Sequence, residues 1–250
     1  MMIGAVTLSI GLAGCGSDTA DVVVARVGHT SIAQGAVKHW MDIIAGEVST
    51  AAGQPKPDVP IPPHYTACIS YKRKYPAAAS AERSASASVG LWRECNVEFQ
   101  KEKLKALYFL ISRLWVDGVA GELGANPSDR ELHGQLASLV QRFPSRASAR
   151  HFLVGARGTE ADLLARLKVV VLAASVQRAL EAQNRRQGLD EPERQRALRS
   201  FGKRFERAWR ARTSCRPGYV VPICRQRYTP AKSASALTPP DVPLTRMTAE

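Results

Sequence analysis

The sequence predicts an all-α protein, a helical bundle of about six helices preceded by a short N-terminal strand. Apolar residues recur at spacings of three and four along most of the chain after residue 90, which is the period of an amphipathic helix. Gly, Pro, Ser and Thr separate these segments at positions where helices begin and end. The chain has 250 residues, 45% of them hydrophobic, so it is long enough and apolar enough to bury a sizeable core.

The first third of the chain should contain one strand, one helix and a long loop. Residues 21–27 are rich in Val and precede Gly28, a pattern that predicts a strand and a turn. Thr30 or Ser31 is placed to cap the helix that follows. Dense Pro and an Ala/Ser run predict an irregular loop over residues 53–90. The apolar side of the first helix should carry Ile32, Val37, Trp40, Met41 and Ile44.

The middle of the chain carries the longest helical pattern. It spans residues 91–123, and Gly124 stands where a left-handed residue ends a helix. Ser128 and Glu131 have the spacing of a capping box and predict the start of the next helix. A short helix should follow over about residues 147–154.

Two further helices and a tail complete the predicted domain. Thr159 is placed to cap a helix whose interior, residues 168–180, is apolar almost all round, so this helix should form the buried centre of the bundle. A last amphipathic helix should span about residues 191–212. We therefore expect one folded domain over residues 21–227 and a disordered tail over residues 228–250.

The N-terminal segment has the features of an export signal. Residues 1–14 are uncharged and apolar, they end in small residues just before Cys15, and they are too few to span a membrane as a helix. The tetrapeptide LAGC that ends at Cys15 resembles the lipobox of bacterial lipoproteins, in which the Cys carries the lipid. This resemblance implies a lipoprotein signal peptide, lipidation of Cys15 and a tether over residues 15–20. The alternative is a buried N-terminal strand or a disordered leader.

Four cysteines remain beyond Cys15, and an even number in an exported chain predicts two disulfides. Of the three possible connectivities we favour Cys68 with Cys95 and Cys215 with Cys224. Each of these pairs is local and brackets a segment that contains Pro or Gly. A zinc site is disfavoured, because the short CxxC spacing and a neighbouring His are both missing.

The net charge alone does not identify the class of binding partner. The formal net charge is +13, and residues 185–216 contain eleven Lys or Arg against four acidic residues. Such a stripe can bind nucleic acid, anionic lipid headgroups or acidic polypeptide segments, or it can be an ordinary solvated helix face. A cytoplasmic nucleic-acid binder would require reduced cysteines and an uncleaved N-terminus, so we expect no nucleic-acid partner.

The sequence contains none of the common catalytic signatures. A Gly-rich phosphate loop, an HExxH element and a GxSxG element are all missing, and the five His are scattered through different predicted elements. We therefore expect no catalytic residue, no metal site and no cofactor.

Four segments, taken in order, resemble the N-terminal domain of the SurA and PrsA type of extracytoplasmic foldase. They are VVARVGHTSIAQGAVKHWM, FLISRLWVDGVAGELG, NPSDRELHGQL and TEADLLARLKVVVLAASV. The resemblance covers about residues 21–183, together with residues 201–224. It implies that the last helix returns to pack on the N-terminal region and completes a chaperone domain.

The resemblance also implies a function. Family members that are peptidyl-prolyl isomerases carry a parvulin domain before the returning helix, whereas only residues 183–193 occupy that place here. Isomerase activity is therefore not expected, but binding of unfolded exported polypeptides in a groove between helices is. Candidate groove residues are Trp40, Tyr108, Trp115 and Phe152, although aromatic residues of this size also suit a core.

The combined expectation is a chaperone held at the outer face of the cell membrane by a lipid anchor. The alternative is a cell-envelope structural or adaptor lipoprotein that binds one specific folded partner. Suppression of aggregation for unrelated clients distinguishes the first from the second.

Overall fold

The computed structural model describes residues 22–47, 58–75, 87–154 and 157–226. The predicted signal peptide, Cys15, the tether and the tail over residues 228–250 lie outside the described residues. Within them the chain is mostly helical, as the sequence predicted, with seven helices and three short strands. The elements are β1 (Val23–Val27), β2 (Thr30–Ala33), α1 (Gln34–Glu47), α2 (Thr66–Lys74), α3 (Ala87–Glu122), α4 (Asp129–Val140), α5 (Arg146–Val154), α6 (Glu160–Arg186), α7 (Glu191–Ala211) and β3 (Thr213–Cys215).

The three strands form one antiparallel sheet in the order β2-β1-β3. β1 and β2 form a hairpin that turns at Gly28, where the positive φ of 57° favours glycine. β3 follows α7 and pairs with β1, so that Ala25 lies opposite Cys215 and Val27 opposite Thr213. The strand that follows α7 therefore lies beside the first described strand.

Helix α3 is the centre of the bundle. Its residues Ala106, Leu107 and Ile111 are 0% exposed, and α1, α2 and α6 pack around it. The prediction that residues 168–180 of α6 form the buried centre is wrong, since Val170 is 65% exposed. Helices α3, α4 and α5 contact α6, and Val170 faces away from the core. A run of apolar residues does not require burial on every side of a helix.

Two further predictions need correction. Thr30 and Ser31 do not cap α1, because both lie in β2, where they pair with Val27 and Arg26. Residues 53–90 are not irregular throughout, because they contain α2 and the first turn of α3.

Helix α2 is stabilised by a small second core. Tyr65, Cys68, Trp92 and Cys95 are buried together there. The phenol of Tyr65 donates a hydrogen bond to Oδ1 of Asn96 at 2.8 Å. This cluster packs α2 against α3.

The predicted helix starts are confirmed by their capping geometry. Ser128 and Glu131 form a reciprocal capping box at the start of α4. Thr159 forms the same arrangement with Asp162 at the start of α6. After α3 the chain takes a positive φ of 62° at Gly124, as expected for a residue that ends a helix.

The structure contains the two favoured disulfides. Cys68 and Cys95 join α2 to α3, and Cys215 and Cys224 close a small loop after β3. Among the described residues, no helix has the length and apolar character needed to cross a membrane.

Candidate functional site

An open groove of about 670 Å³ lies between α3 and α7. Helix α7 contacts α6 and β3, and residues of α3 and α7 line the two sides of the groove. Its strong amphipathic pattern directs Leu198, Phe201, Phe205 and Trp209 to one side. Only Trp209 of these four is buried, so much of the apolar face of α7 remains accessible.

The floor of the groove is aromatic and rigidly held. Trp115 of α3 is 5% exposed, and its ring meets Phe205 edge-on at a centroid distance of 5.8 Å. The indole Nε1 of Trp115 donates a hydrogen bond to Oγ1 of Thr213 at 2.8 Å. That hydroxyl donates in turn to the carbonyl of Trp209 at 2.7 Å, so the polar atoms beneath the floor are satisfied. The floor can present apolar surface without an unpaired donor.

The mouth of the groove is mixed in character. Tyr108 is 48% exposed and lines the groove about two helical turns before Trp115 on α3. The α7 side contributes Arg199, Lys203 and Glu206. Arg199 and Lys203 form no ion pair with any residue that the structure describes. An apolar floor with a basic rim suits an apolar segment that carries acidic residues nearby.

Gly202 widens the groove on the α7 side. It lies on the groove wall within the helix, and a Cβ placed there would meet no other atom within 4 Å. Glycine inside a helix costs about 1 kcal/mol relative to alanine. The position therefore offers a way to fill the groove by substitution without a clash.

No known protein family, curated protein or solved structure matches this chain. In the described part of the chain, no cluster of three or more His, Cys, Asp or Glu has an arrangement that could hold a metal ion.

The structure separates the four predicted groove residues. Tyr108 and Trp115 line the groove together. Trp40 is not among the residues that line this groove, and it packs in the core against Phe109 at a centroid distance of 4.3 Å. Phe152 lies in α5, and its side chain is outside the described part of the structure.

The sequence did not identify the residues that complete the groove. Phe205 and Ile223 line it from α7 and from the disulfide loop, about 90 and 110 residues after Trp115 in the chain. The i, i+4 spacing of Phe201, Phe205 and Trp209 does predict an apolar face on α7. It does not reveal which part of that face α3 leaves uncovered.

Proposed function

We propose that the chain is a lipid-anchored extracytoplasmic chaperone that binds unfolded exported polypeptides in the groove between α3 and α7. The observation that carries the proposal is the open groove in which half-buried Phe205 and exposed Tyr108 present aromatic surface above the buried ring of Trp115. Helix grooves of this kind hold apolar segments of a bound chain and leave their polar flanks in solvent.

The groove geometry favours short, varied clients. Its floor offers ring faces and edges, which bury apolar side chains without demanding one shape. The basic rim attracts acidic side chains of a client at the mouth of the groove. Each of these ion pairs is weak, because both partners are exposed to water. Weak, adaptable contacts of this kind allow release as well as capture.

The connection between α6 and α7 supports binding rather than prolyl isomerisation. The chain passes from Arg186 to Glu191 through a short loop in which Gly188 has a positive φ of 70°. This is the place where isomerase members of the SurA and PrsA type carry their parvulin domain. We therefore expect the protein to bind unfolded chains without accelerating proline isomerisation.

The two disulfides support a location outside the cytoplasm. Disulfides persist in oxidising compartments and are rare where thiols are kept reduced. Lipidation of Cys15 would hold the groove at the outer face of the membrane, where exported chains emerge unfolded.

The test is suppression of aggregation by the purified protein. A chemically unfolded, proline-free client is diluted into buffer with increasing amounts of protein, and aggregation is followed by light scattering. A proline-limited refolding assay runs in parallel. We expect less scattering and an unchanged rate of proline isomerisation.

Two matched glycine variants locate the activity. Gly202→Leu fills the groove, whereas Gly134→Leu adds the same side chain on α4 at another exposed helical glycine with open space around it. Both should fold, because leucine favours a helix over glycine. Loss of suppression in the first variant alone is the expected result. Failure of the unmodified protein to suppress aggregation at several-fold molar excess would favour the adaptor with one folded partner.

A further inference from the structure

A second cavity, of about 380 Å³, lies on a different part of the molecule. It is enclosed by α1, α3, the segment over residues 58–62 and the loop that carries Tyr219. It shares no lining residue with the groove between α3 and α7. Most of its wall is apolar, formed by Val37, Met41, Val59, Pro60, Pro62 and Phe99.

One buried cation lines this cavity. Lys103 is only 8% exposed, and burial lowers the pKa of its ammonium group. The ammonium nitrogen lies 4.9 Å from the ring centroid of Tyr219 and 5.4 Å from that of Phe99. It forms no hydrogen bond or ion pair with any residue that the structure describes. Ring faces compensate a buried cation only in part, since the attraction of a ring quadrupole is weaker than that of a counter-ion.

Neighbouring carboxylates do not neutralise Lys103. Glu102, beside it on α3, pairs instead with Lys105 at 3.1 Å. Asp58 and Arg157 both line the same cavity, and they pair with each other.

The remaining lining charges balance each other. They are Lys38 and Asp42, one cation and one anion. The described lining therefore has one net positive charge, and it sits among apolar side chains.

We propose that this cavity binds a small amphipathic carboxylic acid of the medium-chain fatty acid type. The carboxylate pairs with the ammonium of Lys103, and the hydrocarbon chain lies along the apolar wall. Binding replaces the missing counter-ion with a charge-assisted hydrogen bond and buries apolar surface in the same step. The cavity size lies within the usual range for small-molecule sites. This inference does not depend on the polypeptide groove.

The experiment is calorimetric titration of the full chain with octanoate and, separately, with octan-1-ol. The two probes have the same chain length, so they differ in the carboxylate that Lys103 is proposed to bind. We expect saturable 1:1 binding of octanoate that is at least about tenfold tighter than binding of the alcohol. Equal affinity for the two probes, or no saturable binding of octanoate, would overturn the proposal.

Two Lys variants test whether the ammonium of Lys103 binds the carboxylate of octanoate. Lys103→Met keeps an unbranched apolar side chain and removes the ammonium, whereas Lys101→Met removes an exposed charge from the same helix. Octanoate affinity should fall at least about tenfold in the first variant and stay within about twofold in the second. An unchanged affinity in Lys103→Met contradicts the proposed pairing.

A third variant tests the same cavity without changing Lys103. Ala67 is exposed and lines the cavity, so Ala67→Phe narrows the cavity while leaving Lys103 in place. Octanoate binding should weaken in this variant too, and thermal unfolding should show that all three variants are folded. Octanoate binding that Ala67→Phe leaves unchanged would place the ligand elsewhere.

Discussion

The indole of Trp209 lies directly against the backbone of Gly118 where α7 reaches the end of α3. A Cβ built on Gly118 would lie 1.9 Å from Cη2 of Trp209 and 2.4 Å from its Cζ2, distances that no packing allows. The glycine therefore lets the largest side chain of α7 enter the core at 8% exposure. This contact fixes the end of α7 and, with it, one end of the groove.

Gly118→Ala should destabilise the protein although alanine favours a helix. Overpacking costs about 1–3 kcal/mol, and a contact of 1.9 Å with a buried indole should put the cost at the upper end, above the gain of about 1 kcal/mol in helix propensity. Urea unfolding measures the difference. Gly121→Ala, three residues later on α3, is the control, because its Cβ would meet only Nδ2 of Asn126 at 3.9 Å. Equal stability of the two variants would show that Trp209 moves aside at little cost.

Thr213 should be as important as Trp115 for holding the groove floor. Thr213→Val removes the hydroxyl that accepts the indole hydrogen bond and leaves a buried N–H without its partner. We expect a loss of about 1–3 kcal/mol in the free energy of unfolding. Thr213→Ser keeps the hydroxyl and should lose less. Unfolding followed by tryptophan fluorescence checks both variants, and a Val variant as stable as the Ser variant would contradict this account.

The boundaries set by Gly124, Ser128 and Thr159 were predictable because the signals that set them are local. Ser128 and Thr159 cap their helices with residues three positions away, and Gly124 ends α3 by its own backbone conformation. Pairing and burial depend on distant residues instead. The strand Thr213–Cys215 exists only because β1 lies beside it, and three residues leave almost no periodic signal.

The same distinction explains how much of the groove the sequence revealed. Tyr108 and Trp115 share a face of α3 by their spacing of seven residues, so their grouping was predictable. Their partner Phe205 comes from a helix whose position no local pattern specifies. Trp40 packs in the core, which is the more frequent place for a large aromatic residue on an apolar helix face, and its sequence neighbours did not distinguish the two.

Asp162 should make stability depend on pH in the acid range. Burial alone would raise the pKa of its carboxyl, but hydrogen bonds with His39 at 2.7 Å and with Thr159 outweigh it and hold the pKa below the ordinary value of 3.8. A folded pKa below the unfolded one contributes stability above the unfolded value, and this contribution is lost as pH falls through the folded pKa. Unfolding of the protein should therefore show a loss of stability below about pH 4.

Asp162→Asn isolates that contribution, since it keeps a polar side chain but cannot ionise. Subtracting its pH profile from that of the unmodified protein removes the effect of other carboxylates. The difference should shrink as pH falls below 3.8. His39→Gln should move the midpoint of the loss upward, because it removes the first of the lowering interactions. A difference that stays constant from pH 6 to pH 2 would contradict this assignment.

The two disulfides should contribute unequally to stability. The closed segments have sequence separations of 27 and 9 residues, and loop-closure entropy gives about 3.5 kcal/mol for Cys68–Cys95 and about 2.6 kcal/mol for Cys215–Cys224. Double Ala variants of each pair, compared by urea unfolding, test the order. The smaller loop carries Tyr219 and Ile223. Loss of the Cys215–Cys224 disulfide should therefore also weaken ligand binding in the groove and in the second cavity.

Charge at the groove rim should select among clients. Arg199 and Lys203 border the apolar floor, so an apolar peptide flanked by Glu should bind more tightly than the same peptide flanked by Lys. The double variant Arg199→Glu, Lys203→Glu should reverse that preference, with changes of about 3- to 10-fold because both contacts are exposed. Fluorescence anisotropy of labelled peptides measures the affinities.

The control carries the same change in net charge far from the rim. Arg73→Glu, Lys74→Glu reverses two exposed cations on α2 that lie outside the groove lining. It should leave the preference for the Glu-flanked peptide intact, whereas a general effect of net charge would alter both double variants alike. In the unmodified protein, raising the salt concentration should weaken binding of the Glu-flanked peptide more than binding of the Lys-flanked peptide. The reason is that salt screens the attraction between exposed charges, with a Debye length of about 10 Å at 0.1 M. A preference that survives reversal of Arg199 and Lys203 would place the client elsewhere on the molecule.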